Sequence, residues 1–197
     1  MQAGLSCSSA AQRSCLVFLL LLLLATPVLA GGADLDVRAA LLAQRLEREL
    51  GRFQEETVRL AGLEVLRRQE HWYRPWQENA IVAVMDQALD ASEHLLLTEL
   101  LDPRGQLMAV NAHAGSGAPL ATGDLYIENF SKRPWFLSLA ENGGDPAPRL
   151  DGPFRDPDLV RVYGEAFGPC LRVTVALRSQ GELVALLSNC YRYDALA

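Results

Sequence analysis

The longest regular pattern of apolar and polar positions covers residues 34–70. Apolar side chains recur there every three or four residues and no proline interrupts them, so the pattern predicts one long helix, with Gly51 and Gly62 as its weak points. The apolar stripe can either cover the sheet of its own subunit or pack against the same helix in a second copy, and the sequence leaves both interpretations open. The candidate positions for a homodimer interface are Leu42, Leu46 and Phe53.

A second helix is predicted after residues 71–76, where the first helical pattern breaks. Pro75 suits the first turn of a helix, and apolar residues then fall on one face as far as Leu89. Aromatic residues cluster at the break. At a helix junction such residues favour packing over an aromatic binding site, so we interpret Trp72, Tyr73 and Trp76 as packing residues.

Short apolar runs separated by turn residues follow residue 93 and predict strands. Residues 94–101 and 106–111 flank an Asp-Pro-Arg-Gly turn, which predicts a hairpin. Residues 112–123 are small and predict a loop. After a turn-rich stretch, the chain is predicted to end in three strands, at residues 159–167, 170–178 and 182–191. The order of elements predicts an α+β fold, with an antiparallel sheet of about five strands, a long N-terminal helix and a second helix packed on it.

The central segment, residues 129–143, carries the most specific chemistry. Pro134 disfavours helical angles at Arg133, so a short helix is predicted to begin at Pro134, and glycines then end it. Arg133 places a planar, permanently charged fork at the mouth of that helix, beside the apolar faces of Trp135 and Phe136. This arrangement indicates a site for a small carboxylate. The alternative is that both aromatic residues are core and Arg133 is a surface or ion-paired residue.

The run Arg133-Pro134-Trp135-Phe136 resembles the Arg-Pro-Trp-(Tyr/Phe) segment of the extracytoplasmic sensor domains called Cache or PDC domains, which have a PAS-like fold. The resemblance covers roughly residues 35–194, and this run is its sharp part. It implies a Cache domain in which the short helix and its loop lie over the far face of the sheet and enclose a ligand. Since the sequence shows no internal repeat and no second long apolar run, we expect a single, free-standing copy. In that family the Arg and the Trp often contact the ligand's carboxylate, which implies the same roles for Arg133 and Trp135.

Further ligand-site candidates surround the central segment. Phe136 would form a pocket wall, Tyr126 precedes it on the lid side, and Tyr163 could reach up from the sheet with its hydroxyl. Asp151 or Asp158 could accept a ligand amine. The amino-acid-binding subgroup of the family has Tyr where this chain has Phe136, and no Asp aligns with the one that the subgroup supplies later. We therefore predict a small carboxylate as the ligand, with an amino-acid-like compound as the alternative.

Residues 1–30 have the pattern of a secretory signal peptide. Arg13 precedes an apolar run shorter than the roughly 20 residues of a spanning helix, and small residues predict cleavage after Ala30. The mature chain is then a single domain at 31–197, with a helical part at 31–91 and a sheet part at 92–197. This predicts a secreted or periplasmic protein. The alternative is an uncleaved N-terminal membrane anchor with the domain facing outward.

Cleavage would leave Cys170 and Cys190 as the cysteines of a chain in an oxidising compartment. If the last hairpin pairs symmetrically about Gln180, the two cysteines lie directly opposite one another, which predicts a cross-strand disulfide. The alternative is two buried free thiols.

The formal net charge of the 197-residue chain is −6, which argues against nucleic acid as a partner. His71, His94 and His113 are too widely spaced for a metal site, and the sequence shows no nucleophile with a base and no cofactor loop. No catalytic residue, metal or cofactor is therefore predicted. The expected function is small-molecule sensing outside the cytoplasm, with the signal passed to a partner such as a membrane signalling protein. The alternative is a ligand-free structural or interaction module that dimerises through its first helix.

Overall fold

The computed structural model describes residues 32–73, 79–141, 147–164 and 167–193. The predicted signal peptide, with its cleavage site after Ala30, lies outside these residues, as do Pro75, Trp76 and the glycines predicted to end the short helix. The chain divides into two compact units, Met1–Gln44 and Arg45–Ala197. Within the described residues, no helix combines the length and the apolar character needed to cross a membrane.

The first helix, α1, spans Gly32–Ala61 and is shorter than predicted. The chain leaves the helix after Gly62, where Leu63 adopts extended backbone angles. Glycine favours a helix end, and leaving the helix there brings Leu66 into the core with no exposed surface. This burial outweighs the continued helical spacing of the sequence. Two short 3-10 turns follow, Glu64–Arg67 and Gln69–His71.

The second helix, α2, spans Ala80–Asp90 and confirms the predicted second helix. Asn79 caps it, because its side-chain oxygen accepts a 2.9 Å hydrogen bond from the backbone N–H of Ile81. This cap was not predicted from the sequence. One face of α2 is buried, through Ile81, Val82, Met85 and Leu89.

Five antiparallel strands form one sheet in the order β2-β1-β5-β4-β3. The predicted hairpin is confirmed as β1 (Leu95–Leu101) and β2 (Leu107–Val110). A second hairpin joins β4 (Cys170–Ser179) to β5 (Glu182–Arg192). β3 (Arg149–Phe154) lies at the edge of the sheet beside β4. The predicted α+β architecture is confirmed.

One predicted strand is a helix. Residues 159–167 were expected to form a strand, but Pro157–Tyr163 form helix α4. The Asp156 carboxylate caps α4 by accepting hydrogen bonds from the backbone N–H groups of Asp158 and Leu159, and Pro157 occupies the first turn. These start signals stabilise a helix despite the apparent alternation along the chain. The missing strand is β3, which comes from the stretch predicted to contain only turns.

The two faces of the sheet carry separate cores. On one face, Phe53 of α1 is fully buried and stacks on Tyr191 of β5, with the ring centroids 4.4 Å apart. Phe53 therefore covers the sheet of its own subunit instead of facing a second copy. Leu42 is exposed and Leu46 is half-buried. The opposite face is covered by Trp135 and Phe136, which belong to the short helix α3 (Pro134–Glu141).

Candidate functional site

The central segment folds as predicted around Pro134. The side-chain oxygen of Asn129 accepts a 2.9 Å hydrogen bond from the backbone N–H of Ser131 and starts a short 3-10 turn. Arg133 then adopts extended angles, and its carbonyl accepts hydrogen bonds from the backbone N–H groups of Phe136 and Leu137 at 3.0 Å. Helix α3 thus begins with Arg133 at its mouth, which confirms the local prediction.

A cavity of about 500 Å³ lies between the start of α3, the strand β3 and the start of α4. Four candidate residues line it: Arg133, Trp135, Asp151 and Asp158. Trp135 is 7% exposed, so it forms a wall that also closes the core below. The remaining lining residues are Pro134, Gly152, Pro153, Phe154, Asp156 and Pro157. The cavity therefore has apolar walls and a few charged groups, as small-molecule sites do.

Arg133 is paired inside the protein. Its Nη2 donates a 2.8 Å hydrogen bond to Oδ1 of Asp158, whose side chain is 1% exposed. The guanidinium carbon also lies 5.7 Å from the ring centroid of Phe130. Burial raises the pKa of Asp158, as does the neighbouring charge of Asp156, while Arg133 and Arg172 oppose this rise. The ion pair stabilises a buried carboxylate that would otherwise be costly.

A second arginine, Arg172 of β4, was not predicted as part of the site and is fully buried behind Trp135. Its guanidinium donates a 2.6 Å hydrogen bond to Oε2 of Glu99 on β1, another to Oγ of Ser188 on β5, and a third to Oδ2 of Asp156. The signal was available, since Arg172 and Glu99 each lie among mostly apolar residues of a strand. Buried charges of this kind are found where they are paired.

The carboxylates around Arg172 have opposite pKa shifts. Burial raises the pKa of Glu99 to about 7, although the charge of Arg172 opposes this. Burial also acts to raise the pKa of Asp156, but Arg172 and the hydrogen bonds that this carboxylate accepts lower it overall. The cluster therefore combines a carboxyl that titrates near neutral pH with one that stays ionised.

Three other candidates do not line the cavity. Phe136 is 3% exposed and belongs to the core below α3. Tyr126 lies in the 3-10 turn Gly123–Ile127, where its carbonyl accepts a 2.7 Å hydrogen bond from the side chain of Gln106. Tyr163 is at the end of α4, and its hydroxyl donates to the carbonyl of Leu96 at 2.7 Å. Burial raises the pKa of Tyr163 to about 12. Their part in ligand binding stays a prediction.

The predicted disulfide is not seen, and the direct cross-strand pairing of the two cysteines from which it was predicted is wrong. Cys170 and Cys190 are both free and buried, and the register pairs Cys170 with Arg192 and Arg172 with Cys190. The pairing of Ser179 with Glu182 centres the turn between Gln180 and Gly181 instead of on Gln180, and the register shift between Leu177 and Arg178 displaces the strands by one further residue.

The two cysteines and Asp156 have ligand atoms within 4.8 Å of one another, a combination that could hold a metal by residue type. However, the guanidinium of Arg172 already occupies the cationic position beside Asp156, and its charge would repel a metal ion. Burial raises the pKa of the Cys190 thiol, which also disfavours the thiolate that a metal needs.

No family model matches the sequence, and no curated protein matches it. The fold is similar to that of an extracellular ligand binding receptor from Desulfohalobium retbaense DSM5692, with a TM-score of 0.53 and 16% identity; the match covers 79% of this chain and 25% of that chain. It is also similar to the extracellular domain of a protein named as histidine kinase vpHK1S-Z8, with a TM-score of 0.57 and 13% identity; this match covers 83% of this chain and 59% of that chain. This chain therefore corresponds to part of each. The two likenesses show the fold alone: an α+β fold with a long N-terminal helix and a five-stranded antiparallel sheet, as the order of elements along the sequence predicts.

Proposed function

We propose that this chain is an extracytoplasmic sensor domain that binds a small ligand in the cavity beside Arg133 and signals through a partner protein. The observation that carries the proposal is that Arg133 lines a cavity of about 500 Å³ between α3, β3 and α4. One similar structure is named as a ligand binding receptor and the other as part of a histidine kinase, which supports a sensing role. The volume is within the range of known small-molecule sites.

The charges at the cavity favour a small carboxylate or an amino-acid-like compound. The planar guanidinium of Arg133 can hold a carboxylate through two parallel hydrogen bonds, and Trp135 supplies an apolar wall beside it. Asp151 lines the same cavity and can accept a ligand ammonium group. Because Arg149 pairs with Asp151 at 3.0 Å, part of that negative charge is already offset. The carboxylate contact with Arg133 is therefore the principal one that we propose.

Signalling requires a second surface. Helix α1 exposes several large apolar side chains within its first turns, namely Leu35, Val37, Leu41 and Leu42. Such side chains support contact with a second copy or with a membrane signalling protein. A ligand would change that contact only if it favoured one of two arrangements of the domain.

A ligand-free interaction module is the second candidate. Two observations favour it: Arg133 already has an internal partner in Asp158, and Trp135 packs against Arg172 of the sheet. In this case the fold would serve to present the apolar surface of α1.

Thermal unfolding of the purified protein separates the two candidates. Small carboxylates, amino acids and amines are added to the wild type, to Arg133→Ala and to Arg161→Ala as a control, because Arg161 pairs with Glu128 outside the cavity lining. A ligand that binds the folded state adds about 2.7 kcal/mol of stability at a hundredfold excess over its dissociation constant. We expect a raised midpoint in the wild type and the control that is lost in Arg133→Ala. No shift with any compound would favour the ligand-free module.

A further inference from the structure

The carboxylate of Asp158 lies where the proposed ligand would bind. Both Arg133 and Asp158 line the cavity, and Oδ1 of Asp158 is 2.8 Å from Nη2 of Arg133. The Arg133 side chain is 27% exposed, so its guanidinium is accessible from the cavity, whereas Asp158 is 1% exposed. An incoming carboxylate therefore meets an arginine whose fork is already in contact with a carboxylate of the protein.

Asp158 depends on Arg133 for its charge pairing. Its second oxygen, Oδ2, has no hydrogen-bond partner within the described part of the chain and lies 3.8 Å from Nη2 of Arg172. That Nη2 is already bonded to Asp156, and Arg161 on the same helix pairs with Glu128. The charges of Arg133, Asp156, Arg161 and Arg172 act on Asp158. The charge of Asp158 in turn acts on Glu99.

We propose that Asp158 is an internal competitor for the ligand's carboxylate, which holds Arg133 in the free domain and must be displaced when a carboxylate binds. This inference rests on the proposed function, in which Arg133 receives that carboxylate. Asp158 is then a specificity-determining residue, because displacing it from Arg133 costs binding free energy. Only a carboxylate that makes further contacts in the cavity offsets that cost.

Displacement leaves Asp158 buried beside Asp156 without its close cation. A buried carboxylate in that position takes up a proton because its charged form has lost the partner that stabilised it. The existing rise in the pKa of Asp158, caused by burial and by the charge of Asp156, acts in the same direction. Carboxylate binding is therefore coupled to proton uptake, and affinity increases as the pH falls from 7.5 to 5.5.

The test compares the affinities of the purified protein for acetate, propionate and succinate, measured by calorimetric titration at pH 7.5 and 5.5. Asp158→Asn keeps the shape of the side chain and removes its charge. Glu128→Gln is the matched control, since it makes the same change in an arginine-paired carboxylate outside the cavity lining. At pH 7.5 we expect Asp158→Asn to bind at least one of these acids about tenfold more tightly than the wild type, with the gap narrowing at pH 5.5. The control should match the wild type.

Two further measurements separate the possible failures. Titrations of the wild type in buffers of different ionisation enthalpy report the protons taken up, without relying on the folding of a variant. If wild type and Asp158→Asn bind equally at both pH values and Arg133→Ala abolishes binding, the competitor role is overturned and the proposed site stands. If even Asp158→Asn binds none of the three acids although Arg133 is released, both the competitor role and the carboxylate site are overturned.

Discussion

The guanidinium carbon of Arg172 lies 4.3 Å from the ring centroid of Trp135. Trp135 is in the central segment and Arg172 is in the middle of β4, so a buried cation attaches the short helix to the sheet by packing against an aromatic face. The same guanidinium binds Glu99 of β1 and the α4 cap Asp156. Because the guanidinium also donates to Ser188 of β5, five elements meet at this one side chain: α3, the start of α4, β1, β4 and β5.

Replacing Arg172 with methionine is expected to lower the free energy of unfolding by about 3–5 kcal/mol, because two buried carboxylates lose their cation. Urea unfolding measures this loss. The control is Arg178→Met in the same strand, whose guanidinium donates to the Gly181 carbonyl near the turn and whose loss should cost about 0.5 kcal/mol. Adding Glu99→Gln to Arg172→Met should recover part of the stability. Equal losses in the Arg172 and Arg178 variants would contradict the structural role of Arg172.

Glu99 is expected to make the stability depend on pH. Burial raises the pKa of Glu99 from 4.5 to about 7, so between these values the folded state holds a proton that the unfolded state has released. The contribution of Glu99 to the free energy of unfolding is therefore fully present below pH 4.5. It is lost as the pH rises through 7, and the loss is on the order of 3 kcal/mol. In Glu99→Gln, this contribution to the pH dependence of the free energy of unfolding should be missing. Urea unfolding of both proteins at pH 5 and pH 8 measures the difference, and parallel profiles would rule it out.

The sequence predicted those elements whose signals are local. The Asp102–Gly105 turn and the helix start at Pro134 depend on the chemistry of a few adjacent residues, and both are present. The prediction of a strand at 159–167 was wrong because the alternation of apolar and polar residues there is weaker evidence than the helix cap at Asp156 and Pro157. Helix caps are equally local, so this error could have been avoided.

Long-range features of the site were less accessible to sequence analysis. The Arg133 cavity was anticipated, but its ion pair with Asp158 joins two elements 25 positions apart, and one of these elements was assigned the wrong structure. The predicted cysteine pairing is wrong because the turn is centred between Gln180 and Gly181, and because an extra residue, Val184 of β5, shifts every pair beyond it by one more position. In contrast, the charges of Arg172 and Glu99 within mostly apolar strands were a visible sign of a buried ion pair.

Tyr191→Phe is expected to weaken the attachment of α1 to the sheet by about 1–2 kcal/mol. The Tyr191 hydroxyl lies 2.9 Å from Oγ1 of Thr57 and 3.2 Å from the carbonyl of Phe53, so it bonds two residues of α1 from the central strand. Phenylalanine keeps the ring stacking and leaves those buried groups without this partner. Thermal unfolding measures the loss, with Tyr73→Phe as the control, because the Tyr73 hydroxyl bonds Asp102 at an exposed site. A larger loss in the control would contradict the buried network.

Gly105→Ala is expected to disturb the central segment from the hairpin turn. Gly105 has a φ of +79°, and a Cβ there would lie 2.3 Å from the backbone nitrogen of Ser131, three residues before Pro134. Backbone atoms cannot move aside as a flexible side chain can, so the turn and the start of the segment must separate. We expect a loss of about 2–4 kcal/mol in urea unfolding, together with weaker binding of any ligand that contacts Arg133.

The matched control for this change is Gly117→Ala. Gly117 has a similar φ of +76°, but a Cβ there would meet nothing within 4 Å. Gly117→Ala therefore introduces the backbone strain without the collision, and it should lower the free energy of unfolding by only about 1 kcal/mol. A difference between the two variants measures the contact between the β1–β2 turn and the central segment. If the two losses are equal, the strain of a positive φ accounts for both, and the hairpin does not hold Arg133 in position.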